Sequence, residues 1–470
     1  MIEVAVDVLG VSGDVLATIC LPAAETVLTI KQHIEEVCVL PRFRQRLLCG
    51  PTILSDDDVL ACLSPPVQLS LVVLAYDPKT DRLLLDAIDK GDVQAAEQAL
   101  RTPADPDCTD DEGRSPLFVA SSNGHLEMVR LLLVTGADAN RSRRESGATP
   151  LYMAVHAGYL EAARLLTQAR ADPDKARHDG ATPLYIAAQL GYLDIVRLLC
   201  DVRADMDKAA QAGATALYIA SQNIRLDVMA FLCAAGADKE KAARTSWAPL
   251  HIASQNGSAE AIRLLCEARV DINVGTSDGR TPLFIAAHNG NVEAARLLCQ
   301  FGACVHNATA FGDTPLTIAC QRGYVLLAQL LCEARADVDH RTLNCATPLV
   351  LASANGHAEV VRLLCKAGAD KDKTLQHGMT PLLIASQSGH SHVVTILLEE
   401  SLGIHQGVGD ERFDFEVLCG EEFSRHLDAT AIPSTRKVPT AWESARLQSM
   451  QAELLRRFRL FVQCSWFFSS

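Results

Sequence analysis

The sequence predicts a mainly α-helical solenoid of about ten helix-turn-helix units, preceded by a small α+β domain. Three observations predict it. A Thr-Pro-Leu-like step recurs with its second residue at Pro116, Pro150, Pro183, Ala216, Pro249, Pro282, Pro315, Pro348 and Pro381; the first gap is 34 residues and the other seven are 33. Alanine lies four residues past that position in all nine units, and glycine eight past it in eight, Ile224 being the exception. The first 76 residues carry a different, strand-like pattern. Periodicity of this length marks stacked copies of one supersecondary unit. Such a unit cannot bury its apolar face alone and relies on its neighbours.

The N-terminal domain is expected over residues 1–76. Ile2, Val4, Val6 and Val8 alternate with polar or small residues, the period of a half-buried strand. A turn around Gly10–Asp14 and a second strand through Val15–Leu21 follow. Val27, Ile30, Ile34 and Val37 step by three and four, the spacing of an amphipathic helix. Arg46-Leu47-Leu48-Cys49 and the run Gln68 to Val73 read as further strands. This order resembles the ubiquitin-like β-grasp. Pro41-Arg42-Phe43-Arg44-Gln45-Arg46-Leu47-Leu48 is similar to ubiquitin's Pro-to-Gln-Gln-Arg-Leu-Ile run, and Ile53-Leu54-Ser55-Asp56-Asp57 to its Leu-Glu-Asp-Gly turn. The resemblance implies that Leu48 and Val72 occupy two positions of the apolar patch that ubiquitin receptors grip. Packing of both side chains against the first repeat is the alternative. Ala75-Tyr76-Asp77-Pro78 replaces the free terminal Gly-Gly that conjugation needs, leaving two roles open: a fixed docking module, or an N-terminal cap.

After a linker at 77–81, the solenoid is expected over 82–402. Pro favours the first position of a helix, where its missing N–H costs nothing, and Thr before it caps an orphan amide. Alanine lets helices approach, glycine ends the first helix in a left-handed turn, and pairs such as Leu131-Leu132 and Leu363-Leu364 lie on the second helix. A further unit fits upstream, with Leu83, Ala87 and Gly91 at the Pro, Ala and Gly positions. It is polar enough at Asp86, Asp89, Lys90, Asp92, Gln94 and Glu97 to cap the array itself. The whole pattern resembles the ankyrin repeat: Ala-Pro-Leu-His-Ile-Ala at 248–253 matches it best, and Gly-Ala-Asp at 136–138, 236–238 and 368–370 matches the segment after the second helix. The chain departs from it where Arg170, Arg203, Arg269 and Arg335 replace that glycine. A left-handed non-glycine residue there costs on the order of 1 kcal/mol.

Residues 403–440 are expected to be an irregular linker, in which Phe413-Asp414-Phe415-Glu416-Val417-Leu418 could cover the apolar end of the final unit. Over 441–463, Leu447, Met450, Leu454, Phe458 and Phe461 form a helical stripe flanked by Arg456, Arg457 and Arg459. Such a basic amphipathic helix suits a calmodulin-like partner, a membrane surface, or packing on the parent fold. An apolar tail, Trp466-Phe467-Phe468, runs to 470.

Composition narrows the function classes. A formal net charge of −14 disfavours nucleic acid as the main ligand. No run of residues is apolar enough for a transmembrane span, and no secretory leader is expected; the expected location is the cytoplasm, with the nucleus left open. Cys200, Cys233, Cys266, Cys299, Cys332 and Cys365 recur at 33 residues beside the leucine pair. Equivalent residues of stacked helices lie about 8–10 Å apart, too far for a disulfide, so these thiols are expected buried and unpaired. The absence of Cys-x-x-Cys argues against structural zinc. No phosphate loop, nucleophile elbow or kinase signature occurs, and His251 sits where a helix-capping bond would use it. The expectation is a protein that is not an enzyme and needs no cofactor or metal.

A protein partner is expected on the concave face that the ankyrin resemblance implies. The two residues before the glycine position include Gln189, Gln222, Asn223, Gln255, Asn256, His288, Asn289, Gln321, Arg322, Asn355 and Gln387. An apolar interior would not tolerate such a row, and amides both donate and accept. Tyr152, Tyr185, Tyr218 and Phe284, just upstream, add residue types common in interaction hot spots. Arg141, Arg143, Arg144, Lys175, Arg177, Lys208, Lys241 and Arg244 at the loop tips suit an acidic or polar protein segment. The first reading is a protein–protein interaction scaffold. The second is a client adaptor in ubiquitin-linked turnover, with a ubiquitin-pathway receptor as further partner. Around 213–257 the motif lapses at Ala216, Ile224, Phe231 and Ser246, so the array is expected to open first there.

Overall fold

The computed structural model describes residues 3–9, 14–22, 24–38, 45–50, 52–55, 58–59, 67–73, 78–102, 104–211, 213–243, 246–375 and 378–402. The expected Gly10–Asp14 turn (except Asp14), the 41–44 part of the ubiquitin-like run, Asp56, Asp57, Arg244 and everything expected from 403 to 470 lie outside the described residues. The chain divides into two compact units, Met1–Arg244 and Thr245–Ser470.

The first unit opens with a five-stranded mixed sheet. Its strands are β1 (Glu3–Leu9), β2 (Val15–Pro22), β3 (Gln45–Cys49), β4 (Thr52–Ile53) and β5 (Val67–Val73), in the order β2-β1-β5-β3-β4. β1 and β5 pair in parallel, Val6 opposite Val67; the other pairings are antiparallel. Alternation along the strands sends Val6, Val8, Ile19, Leu21, Leu47, Leu69 and Leu71 to one face. There they close over Val27, Ile30 and Ile34 of α1 (Val27–Cys38). A sheet with a single helix on one face is consistent with the β-grasp expectation. The short β4 was not foreseen: two residues are too few to show an alternation.

Helical pairs fill the rest of this unit: α2 (Pro78–Lys90) with α3 (Val93–Arg101), α4 (Pro116–Asn123) with α5 (Leu126–Val134), and α6 (Pro150–His156) with α7 (Leu160–Gln168). Then come α8 (Pro183–Leu190) with α9 (Leu193–Asp201), and α10 (Ala216–Gln222) with α11 (Leu226–Ala235). The second unit repeats the scheme in α12 (Pro249–Asn256) and α13 (Ala259–Glu267), α14 (Pro282–Asn289) and α15 (Val292–Gln300), and α16 (Pro315–Arg322) and α17 (Val325–Glu333). It ends with α18 (Pro348–Ala354) and α19 (Ala358–Lys366), and α20 (Pro381–Gln387) and α21 (Ser391–Leu402). Residues 78–81, expected as linker, instead form the first turn of α2. Pro78 suits the first helical position, and Asp81 complements the dipole.

Most first helices begin at the recurrent proline, and the residue before it caps; α10 begins at Ala216, and Ala248 before α12 has no capping side chain. Thr149 Oγ1 accepts from Tyr152 N at 3.1 Å, and Thr182, Thr215, Thr281, Thr314, Thr347 and Thr380 act alike on their own helices. The leucine after the proline and the alanine three further on are buried in the interior repeats, as at Leu283 and Ala286. After the second helix, Arg170, Arg203, Arg269 and Arg335 are held left-handed, at φ 61 to 64°, as the motif demands. Ile224 (φ 54°) and Ser246 (φ 57°) share that conformation.

The periodic cysteines are a correction. Cys200, Cys233, Cys266, Cys299, Cys332 and Cys365 are half-buried, not buried. Each directly follows the buried leucine of its helix, and one residue turns an α-helix by about 100°, so the thiol sits at the edge of the buried stripe. Among the described cysteines, Cys320, on a first helix, is the one fully buried. Among the described residues no helix is long and apolar enough to cross a membrane.

Candidate protein-interaction surface

The ends of the first helices expose the predicted amide row. Gln222, Asn223, Gln255, Asn256, Asn289, Gln321, Arg322, Asn355 and Gln387 are exposed, and Gln189 and His288 half-buried. Their backbone is provided for by the adjacent repeat. In the first unit Arg225 Nε donates to Gln189 O at 3.2 Å. In the second, Asn291 Nδ2 donates to Gln255 O at 2.9 Å, and His357 Nε2 lies 3.0 Å from Gln321 O. These overlying side chains come from the residue after the turn position of the next repeat, which is Ile224 before Arg225 and glycine before Asn291 and His357, and the glycine of the repeat beneath makes room for them. A Cβ at Gly290 would stand 2.9 Å from the Tyr324 ring, and one at Gly124 2.7 Å from Tyr159. These carbonyls at the helix ends are thus bonded within the array, while Gln222, Gln255, Gln321 and Gln387 stay exposed.

Not every amide is equally available. Asn223, Asn289 and Asn355 each turn Nδ2 back to a carbonyl of their own helix, at 2.9, 2.8 and 2.8 Å. Each of these asparagines serves its own helix end first. His288 Nε2 accepts from Arg322 Nη2 at 2.8 Å, which requires a neutral ring. Burial, then Arg322 and Arg280, push its pKa down.

The aromatic row is partly a correction. Tyr152 is 3% exposed and Phe284 5%, so neither offers a free face. Tyr152 is covered by Arg177, whose guanidinium carbon lies 5.4 Å from the ring centroid and whose Nη1 donates to the phenol oxygen at 3.3 Å. Tyr185 and Tyr218 remain half-buried, and burial raises both phenol pKa values.

The loop tips likewise divide into structural and presented charges. Lys175 Nζ donates to Asn140 O at 2.7 Å and Lys208 Nζ to Asp174 O at 2.8 Å, each in the preceding repeat. Arg143 pairs with Glu145 and Glu112. Arg141, Arg144 and Lys241 stay exposed. Much of the acidic charge is structural too: Asp107, Asp174, Asp207 and Asp339 each accept the backbone N–H of Asp138, Asp205, Asp238 and Asp370, one repeat on, at 2.9 to 3.0 Å. Sequence reading missed two apolar tips, Phe311 (62% exposed) and Leu343 (66%), joined through Leu343 N to Phe311 O at 3.2 Å. Their signal was available: an apolar residue at the tip, where other repeats carry Glu145 or Asp278.

On the N-terminal sheet, Leu48 is half-buried and Val72 38% exposed; both lie outside its core cluster. Leu48 stands opposite Ile53 and Ser70, and Val72 opposite Arg46. Exposed Ile53 therefore adjoins the Leu48 position. Among the described residues no cluster of His, Cys, Asp or Glu is arranged to hold a metal ion.

Comparison with known proteins agrees with the repeat geometry. The family model for ankyrin repeats (3 copies) matches residues 84–177, 169–243, 250–342 and 336–410. The chain is also similar to the E3 ubiquitin-protein ligase Ufd4 of Drosophila melanogaster, 41% identical over 69 residues. That stretch is 14% of this chain and 2% of the ligase.

Proposed function

From the premise that this chain belongs to the ankyrin-repeat family, we propose that it is a non-catalytic scaffold that binds a protein partner along the exposed ends of its first helices. One observation carries this reading: polar residues recur before the turn position, most of them exposed, while the backbone at Gln189, Gln255 and Gln321 is bonded to the next repeat. Such a surface presents paired donors and acceptors on a framework that needs no rearrangement to bind. Within the first unit, Tyr185, Gln189, Tyr218 and Gln222 form one stretch of contacts, with Arg141, Arg144 and Lys241 favouring an acidic segment. Within the second, Gln255, Gln321 and Gln387 form another, with Phe311 and Leu343 as apolar anchors.

Affinity capture by the full chain, quantified by mass spectrometry, tests it. A Gln255→Lys/Gln321→Lys variant should lose a specific partner by about tenfold or more, roughly 1.4 kcal/mol of binding, with an unchanged melting temperature. Equal recovery by the variant would remove the amide row from the reading.

A second reading is favoured by the exposure of Ile53 and Val72 beside Leu48, and by the partial likeness to a ubiquitin ligase. In it the N-terminal sheet docks a ubiquitin-pathway receptor while the repeats hold a client. Leu48→Ala should then abolish receptor binding with little change in stability. If Leu48 is a packing residue instead, truncation costs about 2–5 kcal/mol, which a thermal melt resolves.

A further inference from the structure

The final repeat exposes a face that the repeats before it bury. In the second unit Leu283, Leu316 and Leu349 follow the first-helix proline and are fully buried; Leu382, their equivalent in α20, is half-buried. Ala295, Ala328 and Val361 are likewise buried on the second helices, whereas Val394 of α21 is half-buried. Ala287, Cys320 and Ser353 are buried and Ser386 is not. These positions lie on the side where the next repeat would stack, and no further repeat motif follows Leu402. Other positions of the same pair keep their burial, with Ile384, Ala385, Val393 and Leu397 all inside. The loss is confined to one face.

We propose that Phe413, Phe415, Val417 and Leu418 of the same chain cover this face, capping the array. The chain leaves α21 at Leu402 with residues 403–470 still to place. Phe413 is the first large aromatic beyond that point. The eleven steps of chain from Leu402 to Phe413 reach roughly 36 Å when extended, against about 18 Å for the length of a twelve-residue helix such as α21. Asp414 and Glu416 alternate with the apolar residues, so one side of the segment meets Leu382 and Val394 while the acidic side stays in water. The stripe from Leu447 to Phe461 starts much further along, and effective concentration falls with tether length. An array end left bare exposes its stacking surface to other molecules, and a tethered segment covers it at any protein concentration.

Hydrogen exchange on the full chain tests the cap. In Phe413→Asp/Phe415→Asp, amides of α20 and α21 should exchange at least about tenfold faster, while those of α14 to α17 keep their rates, because stability in an array is local. Asp414→Asn/Glu416→Gln should leave all rates unchanged. Unchanged exchange in the aspartate variant overturns the proposal. So does an equal loss in the amide variant, or the same loss in Leu447→Asp/Leu454→Asp, which would assign the cover to the last segment. Protection of α20 and α21 that rises with protein concentration in the wild type would assign it to a second copy and equally overturn the cap.

Discussion

His251 shows how one side chain can replace a missing cap. Elsewhere Thr, or Ser115 before α4, precedes the helix proline; here Ala248 does, with no side-chain oxygen to accept an orphan amide. Instead His251 Nδ1 accepts Ala248 N at 3.0 Å, and Nε2 lies 3.1 Å from Arg280 O, to which it donates. Both bonds need the neutral ring protonated on Nε2, and burial pushes the pKa below its ordinary value of 6.5. The unfolded chain therefore binds a proton in a window where the folded chain does not. The contribution is complete above pH 6.5 and is lost as pH falls through the lowered folded value. Thermal melts from about pH 8 to about pH 5 should show a steeper acid loss in wild type than in His251→Thr. Threonine suits this site because Thr317 Oγ1 already accepts Thr314 N in the equivalent place, at 2.7 Å. His288, whose pKa is also lowered, titrates in both proteins, so the difference between the two profiles isolates His251. Equal slopes would mean that the ring at 251 is not held neutral.

At the scale of the element, the first helices have seven or eight residues from α4 to α20, well below the length at which an isolated helix is stable. Each depends on its caps, its turn and its neighbours. α10 keeps its cap, Thr215 to Tyr218 N, but lacks the proline and closes on Ile224 at φ 54°. A β-branched residue there is strained, by about 1–2 kcal/mol. We expect amides of 216–235 to exchange faster than those of 282–301, where Pro282 and Gly290 satisfy the motif. Ile224→Gly should narrow the gap, strain relief outweighing the roughly 0.4–1 kcal/mol that glycine adds to unfolded-chain entropy. Equal protection of the two stretches in the wild type would show that packing fully offsets the lapses.

Across the whole molecule, what was legible followed from distance along the chain. The interactions that define a repeat are local, and many of those that join repeats recur 31 to 37 residues apart, as between Asp138 and Asp107 or Asn291 and Ser254. A period in the sequence is therefore a period in space, and helix starts, left-handed turns and the exposed amides could be read directly. Side-chain depth could not, because it depends on what the neighbouring repeat places overhead: Tyr152 is hidden by Arg177, and nothing in the motif announces it. The same limit misplaced the six periodic thiols, and their half-burial changes what they will do. Burial pushes Cys200, Cys266, Cys332 and Cys365 up to about 11, so at neutral pH the thiolate fraction is on the order of one in ten thousand, against a few per cent for an ordinary thiol. Cys320, wholly enclosed, is also pushed well above its ordinary value by burial. Cys20, by contrast, is exposed on β2. Timed alkylation of the native chain, read site by site, should modify Cys20 first, the periodic four at least about tenfold more slowly, and Cys320 last. The order matters more than the rates: a periodic cysteine that labels as fast as Cys20 would mean that its helix pair opens far more often than its packing implies, and if all four did so the array would be unlatching throughout.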